Sequence, residues 1–123
     1  MKLRLRGNSL RLRLTQGEVN DLVALGSVEE KTAFGPHAQL SYAIALGEGP
    51  SVSASFDAGT IRVTVPSADA RAWATSDRVG IEAEQTTPGD EPLRLLIEKD
   101  FACLKPRTGE DDRDAFPNPN PTC

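Results

Sequence analysis

Five cations near the start of the chain, Lys2, Arg4, Arg6, Arg11 and Arg13, alternate with leucines in the run KLRLRGNSLRLRL. Cations at every second position of an extended chain share one face, so the run offers a row of donors to phosphate oxygens or carboxylates. Towards the other end, Glu98 and Asp100, then Glu110 and Asp112, supply the oxygen ligands that a hard cation such as Ca²⁺ takes. Their spacing fits neither an EF-hand loop nor a zinc site, and the region contains no histidine. No metal is expected there, and residues 105–115 read as a solvated acidic stretch.

Nucleophilic chemistry has less to work with. Ser41, Tyr42 and His37 are neighbours in sequence, but a strand through 39–46 sends Ser41 and Tyr42 to opposite faces. His37 follows Pro36 and reads as an exposed turn residue, while Cys103 follows an apolar strand and reads as a small buried side chain. No glycine-rich phosphate loop is present. The chain is therefore expected not to be an enzyme, and to use no cofactor. Phe116-Pro117-Asn118-Pro119 is different in kind: an extended, proline-stiffened segment headed by an aromatic anchor. It suits docking on its own fold, or presentation to a protein partner.

The 123 residues allow one domain with a true core, and the net charge of −4 argues against a broad grip on nucleic acid. No apolar run approaches the roughly 18 residues of a membrane span, and the charged start lacks a secretory apolar core, so a cytoplasmic protein with no membrane partner is expected. Two cysteines, Cys103 and Cys123, do not make a disulfide scaffold.

The elements that must position these residues repeat. Sliding the sequence by 51 positions lays MKLRLRGNSLRLRL over VSASFDAGTIRVTV, so that Gly7-Asn8-Ser9 meets Ala58-Gly59-Thr60. Each copy reads as an alternating hairpin followed by a short helix. Thr15 and Glu18 form a capping box with Gly26 as the stop, and Pro66-Ser67 opens the second helix. Leu22 and Trp73 fall at equivalent positions and are expected in the core. Residues 28–34 with 39–46, and 79–84 with 93–101, give a second hairpin in each copy. The fold class is thus mainly β with two short helices, built as ββαββ twice. A single domain over 1–104 is expected, with repeats 1–49 and 50–104 and a tail from 105.

Gly59-Thr60-Ile61-Arg62-Val63-Thr64-Val65-Pro66 and Ser76-Asp77-Arg78-Val79-Gly80-Ile81 resemble the AbrB/MazE-type swapped-hairpin unit, as does Gly7-Asn8-Ser9-Leu10. Ser76 stands where that pattern has glycine, and Thr15 where it has proline. The resemblance implies a small closed barrel of two interleaved copies, and DNA binding through basic residues of the first hairpin. Over nearly its whole length the chain also resembles a bacterial family of unknown function, through its opening, Glu98-Lys99-Asp100-Phe101 with Cys103-Leu104, and Phe116-Pro117-Asn118-Pro119. That likeness implies no activity.

Two functional readings follow. The first is a non-enzymatic protein-interaction or structural module with an unidentified protein partner, a pseudo-two-fold monomer or a homodimer. The alternative is a degenerate AbrB-like regulator holding DNA with Lys2, Arg4, Arg6, Arg11 and Arg13. The second copy places Ser53, Ser55, Asp57, Arg62 and Thr64 at the matching positions, which removes most of a symmetric grip.

Overall fold

The computed structural model describes residues 1–101 together with Phe116 and Pro117. The N-terminal alternation folds into two strands, β1 (Lys2–Arg6) and β2 (Ser9–Leu14), in which Lys2 faces Arg13 and Arg4 faces Arg11. Gly7 opens the two-residue turn with φ +54°, a positive value that glycine adopts without a Cβ clash. Asn8 anchors this turn, its amide donating to the carbonyls of Glu91 at 3.2 Å and Pro92 at 2.9 Å.

Helix α1 (Gln16–Leu25) starts at the capping box: the Thr15 hydroxyl accepts from the Glu18 N–H, and the Glu18 carboxylate accepts from the Thr15 N–H. Gly26, in the left-handed region, stops it. Then come β3 (Ser27–Gly35), β4 (Ala38–Gly47), β5 (Ser53–Asp57) and β6 (Thr60–Pro66). Helix α2 (Ser67–Ala74) follows without a side-chain cap, and β7 (Gly80–Gln85) and β8 (Leu93–Lys99) complete the order. The last strand stops at Lys99 rather than at residue 101. Beyond it the chain makes a lone bridge between Phe101 and Phe116.

The strands form two four-stranded sheets, β1-β2-β8-β7 and β3-β4-β6-β5. Each combines one hairpin from the first half of the chain with one from the second, joined centrally by a parallel pair. Alternate residues of both sheets, among them Leu12, Leu14, Ile44, Val63, Val65 and Ile97, are buried in one core. The helices lie at one end and pack on each other, with Leu22 and Trp73 fully enclosed and the Trp73 indole N–H donating to the Val79 carbonyl at 3.1 Å.

The single closed barrel expected from the resemblance does not form among the described strands. Where a strand ladder would close it, side chains bridge the sheets. Between β5 and β7, the Gln85 amide accepts from the Ala54 N–H at 2.7 Å and donates to the Ala54 carbonyl at 2.9 Å. Between β1 and β3, the Met1 ammonium donates to the carboxylates of Glu18 and Glu30. Tyr42 lies in the same cluster, its hydroxyl 2.8 Å from Glu30 Oε2 and 3.2 Å from the Met1 carbonyl. Away from the helices a cleft lies between the sheets, and the bridging residues Ala54 and Gln85 are part of its lining.

Candidate functional site

The hairpin register brings Lys2, Arg4, Arg6, Arg11 and Arg13 onto one outer face of the first sheet. Like charges stand opposite one another across β1 and β2, so the row needs anions nearby. Strand β8 supplies one: Glu98 stands beside Arg13 in the parallel ladder, 2.9 Å from Arg11 Nε and 3.6 Å from Arg13 Nε. These are close ion pairs without hydrogen-bond geometry, so Glu98 Oε1 and Arg13 Nε have no hydrogen-bond partner among the described residues. The buried Asp100 sets its Oδ2 3.2 Å from Lys2 Nζ.

Read as a solvated strand face, the row is expected to pair with Glu29, Glu30 and neighbours across strands; a cross-strand neighbour, Glu98, does pair with it, and the two named acids do not. Those acids belong to the other sheet, where Glu30 holds the Met1 ammonium and Glu29 lies 3.7 Å from Lys31. Strand order decides the partners, and strand order is set by the crossover to β8. Arg4 and Arg6 remain: both are exposed, and no described carboxylate lies within ion-pair reach of either. Across the same face the charge reverses, since β7 presents exposed Glu82 and Glu84. The outer face thus runs from cationic at β1 to anionic at β7.

Of the candidate metal ligands, Glu98 and Asp100 are turned to these cations, and Glu110 and Asp112 lie outside the described residues. Among the described residues no three His, Cys, Asp or Glu side chains converge as a metal requires. Ser41 is buried on β4 while the neighbouring Tyr42 faces the Glu30 cluster. His37 lies exposed in the turn between β3 and β4.

Phe116 docks on the fold. Its N–H donates to the Asp100 carbonyl at 2.7 Å, and its ring meets Phe101 edge-on at 5.8 Å. Pro117 follows, and Asn118 and Pro119 lie outside the described residues. Composition alone gave no sign of Lys99, a buried cation whose Nζ donates to the Ser76 carbonyl at 2.6 Å. It sits 5.1 Å from the Phe116 ring and 6.0 Å from Trp73. Burial lowers its pKa against the opposing influence of Asp77.

Sequence reasoning also missed the cleft at the open end. Leu5, Leu10, Leu40, Phe56, Ile61 and Leu93 line it, and Leu5 and Phe56 are 60% and 70% exposed. Their alternation marks them as inward-facing, which they are. It carries no signal that Leu5 and Phe56 stay exposed at this end while Leu10 and Ile61 beside them are buried.

A family model, Family of unknown function (DUF7009), matches residues 1–120. The chain belongs to that family. No curated protein and no solved structure matches it. No helix among the described residues is long and apolar enough to cross a membrane.

Proposed function

We propose that this DUF7009 chain is a non-enzymatic protein-interaction module that docks a protein partner at the open end of its two sheets. The observation that carries this reading is the pairing of exposed Leu5 and Phe56 with a cleft of apolar inner-face residues. Large side chains left uncovered on a contiguous apolar surface mark interaction sites more often than they mark chance exposure. The charges point the same way. Glu98 and Asp100 offset three of the five cations, and Glu82 and Glu84 oppose phosphates on the same face.

A photo-crosslinking residue placed at position 56 tests the reading in cells. The expected adducts are destroyed by protease and resist nuclease. Absence of adducts, or adducts destroyed by nuclease, would overturn it.

The alternative regulator reading draws on one observation, the gathering of all five cations on one face. A phosphate grip loses affinity for random duplex DNA steeply with salt, and Arg4/Arg11/Arg13→Ser flattens that slope. The architecture proposed with either reading is two ββαββ copies, 1–49 and 50–104, interleaved as in the AbrB/MazE-type unit. It is supported by each sheet drawing one hairpin from each half.

A further inference from the structure

Strand β1 ends its sheet, and the phase of its hydrogen bonds follows from the neighbouring ladder. The Asn8 and Leu14 carbonyls accept from the N–H groups of Arg94 and Asp100, so even-numbered positions of β2 face β8 and odd-numbered ones face β1. Their partners Lys2, Arg4 and Arg6 therefore bond inward across the hairpin. Leu3 and Leu5 turn their N–H and carbonyl groups outward, into the seam towards β3, where no strand among the described residues pairs with β1. Their side chains point to the inner face, where Leu5 is exposed at the mouth of the cleft. On the outer face of this edge stand Arg4 and Arg6, the two cations of the row that no described carboxylate reaches.

We infer that the β1 edge accepts an extended segment of a partner protein as a fifth strand, with carboxylates at alternate positions and apolar residues between them. This rests on the interaction-module reading and names the partner's chemistry. Each feature of the edge selects part of the ligand. The outward amides of Leu3 and Leu5 require an extended backbone. Arg4 and Arg6, two residues apart, require acids two residues apart on the outer face. Leu5 requires an apolar residue on the inner face. A second copy pairing through its own β1 would set Arg4 and Arg6 against like charges, which disfavours self-association at this edge.

The test uses the full chain and a capped synthetic peptide, Glu-Val-Glu-Val-Glu, with Lys-Val-Lys-Val-Lys as control. Amide exchange and NMR shifts are read residue by residue at low salt. Slowed exchange of the Leu3 and Leu5 amides with the acidic peptide alone is the expected result. Arg4→Ser/Arg6→Ser should weaken binding about tenfold, since it removes two charge-assisted contacts. Leu5→Pro should abolish binding while keeping the hairpin, because the N–H it deletes faces away from β2. If that variant does not fold, the arginine pair still decides.

No protection at millimolar peptide, or equal binding of the lysine peptide, overturns the inference. So does protection that rises with protein concentration in the absence of peptide, which assigns the edge to a second copy. Crosslinking at position 56 that persists in Arg4→Ser/Arg6→Ser also counts against the fifth strand while leaving the interaction module standing.

Discussion

Trp73 fixes the helical end of the molecule. Its ring is fully enclosed, its indole N–H is spent on the Val79 carbonyl, and it lies beside the buried Lys99 ammonium. Trp73→Ala should therefore cost about 3–5 kcal/mol in urea unfolding, the range for a large-to-small change in a core. The Met1 cluster gives a second handle at this scale. Burial lowers the Met1 ammonium pKa, but hydrogen bonds and charge from Glu18 and Glu30 more than offset that, so it is raised above 8.0. Burial likewise raises Glu30, and its bonds to the ammonium and to Tyr42 outweigh this to leave it below 4.5. Burial and the Glu30 bond push Tyr42 up to about 12.

The signs are opposite. The ammonium's contribution is complete below pH 8.0 and lost as pH rises through its folded value; that of Glu30 is complete above pH 4.5 and lost as pH falls through its own. Unfolding midpoints measured from pH 3 to 10 should fall on both flanks. Glu30→Gln should remove its acid flank and reduce the alkaline one, where Glu18 still holds the ammonium, and one glycine added before Met1, which takes the ammonium from both carboxylates, should flatten both.

At the scale of elements, local chemistry sets the hairpins and caps. Ala58 holds φ +50° in the turn between β5 and β6, a conformation that strains any side chain with a Cβ. Ala58→Gly should relieve about 1 kcal/mol, read as a higher denaturation midpoint. Thr15→Ala, which removes half of a reciprocal cap, should cost about 1 kcal/mol by the same measurement.

These features are legible in the sequence because each depends on residues a few positions apart: Thr15 with Glu18, Gly7 with its flanking alternation, Gly26 at the end of a helical face. The partners of the cations were not. Glu98 meets Arg11 and Arg13 only because β8 lies parallel to β2, and alternation says which face a residue takes without saying which strand stands beside it. The seams were hidden for the same reason. That a glutamine amide would bridge two edges across 31 positions has no local signature. Gln85→Ala should speed exchange of the Ala54 amide and cost about 1 kcal/mol, since the N–H and carbonyl it held regain water rather than a strand.

Considered whole, the molecule cannot be divided at the glycine-rich joint around residues 47–50. Each sheet takes one hairpin from each half, and among the described residues the parallel joins β2 to β8 and β4 to β6 carry every ladder that crosses between halves. A fragment of residues 1–50 would keep two hairpins and a capped helix, but it would expose the inner edges of β2 and β4 and lose Trp73, Val63, Val65 and Ile97 from its core. Isolated two-stranded hairpins are at best marginal in water, and short helices depend on packing. Fragments 1–50 and 51–123 should each lack cooperative unfolding on their own, and mixing them at equal concentration should restore it with a concentration-dependent midpoint. Circular dichroism and thermal melts of the separate and mixed fragments check this. Cooperative melting of 1–50 alone would mean that the first half possesses a core of its own, and that the exchange of hairpins between sheets is not what holds the fold.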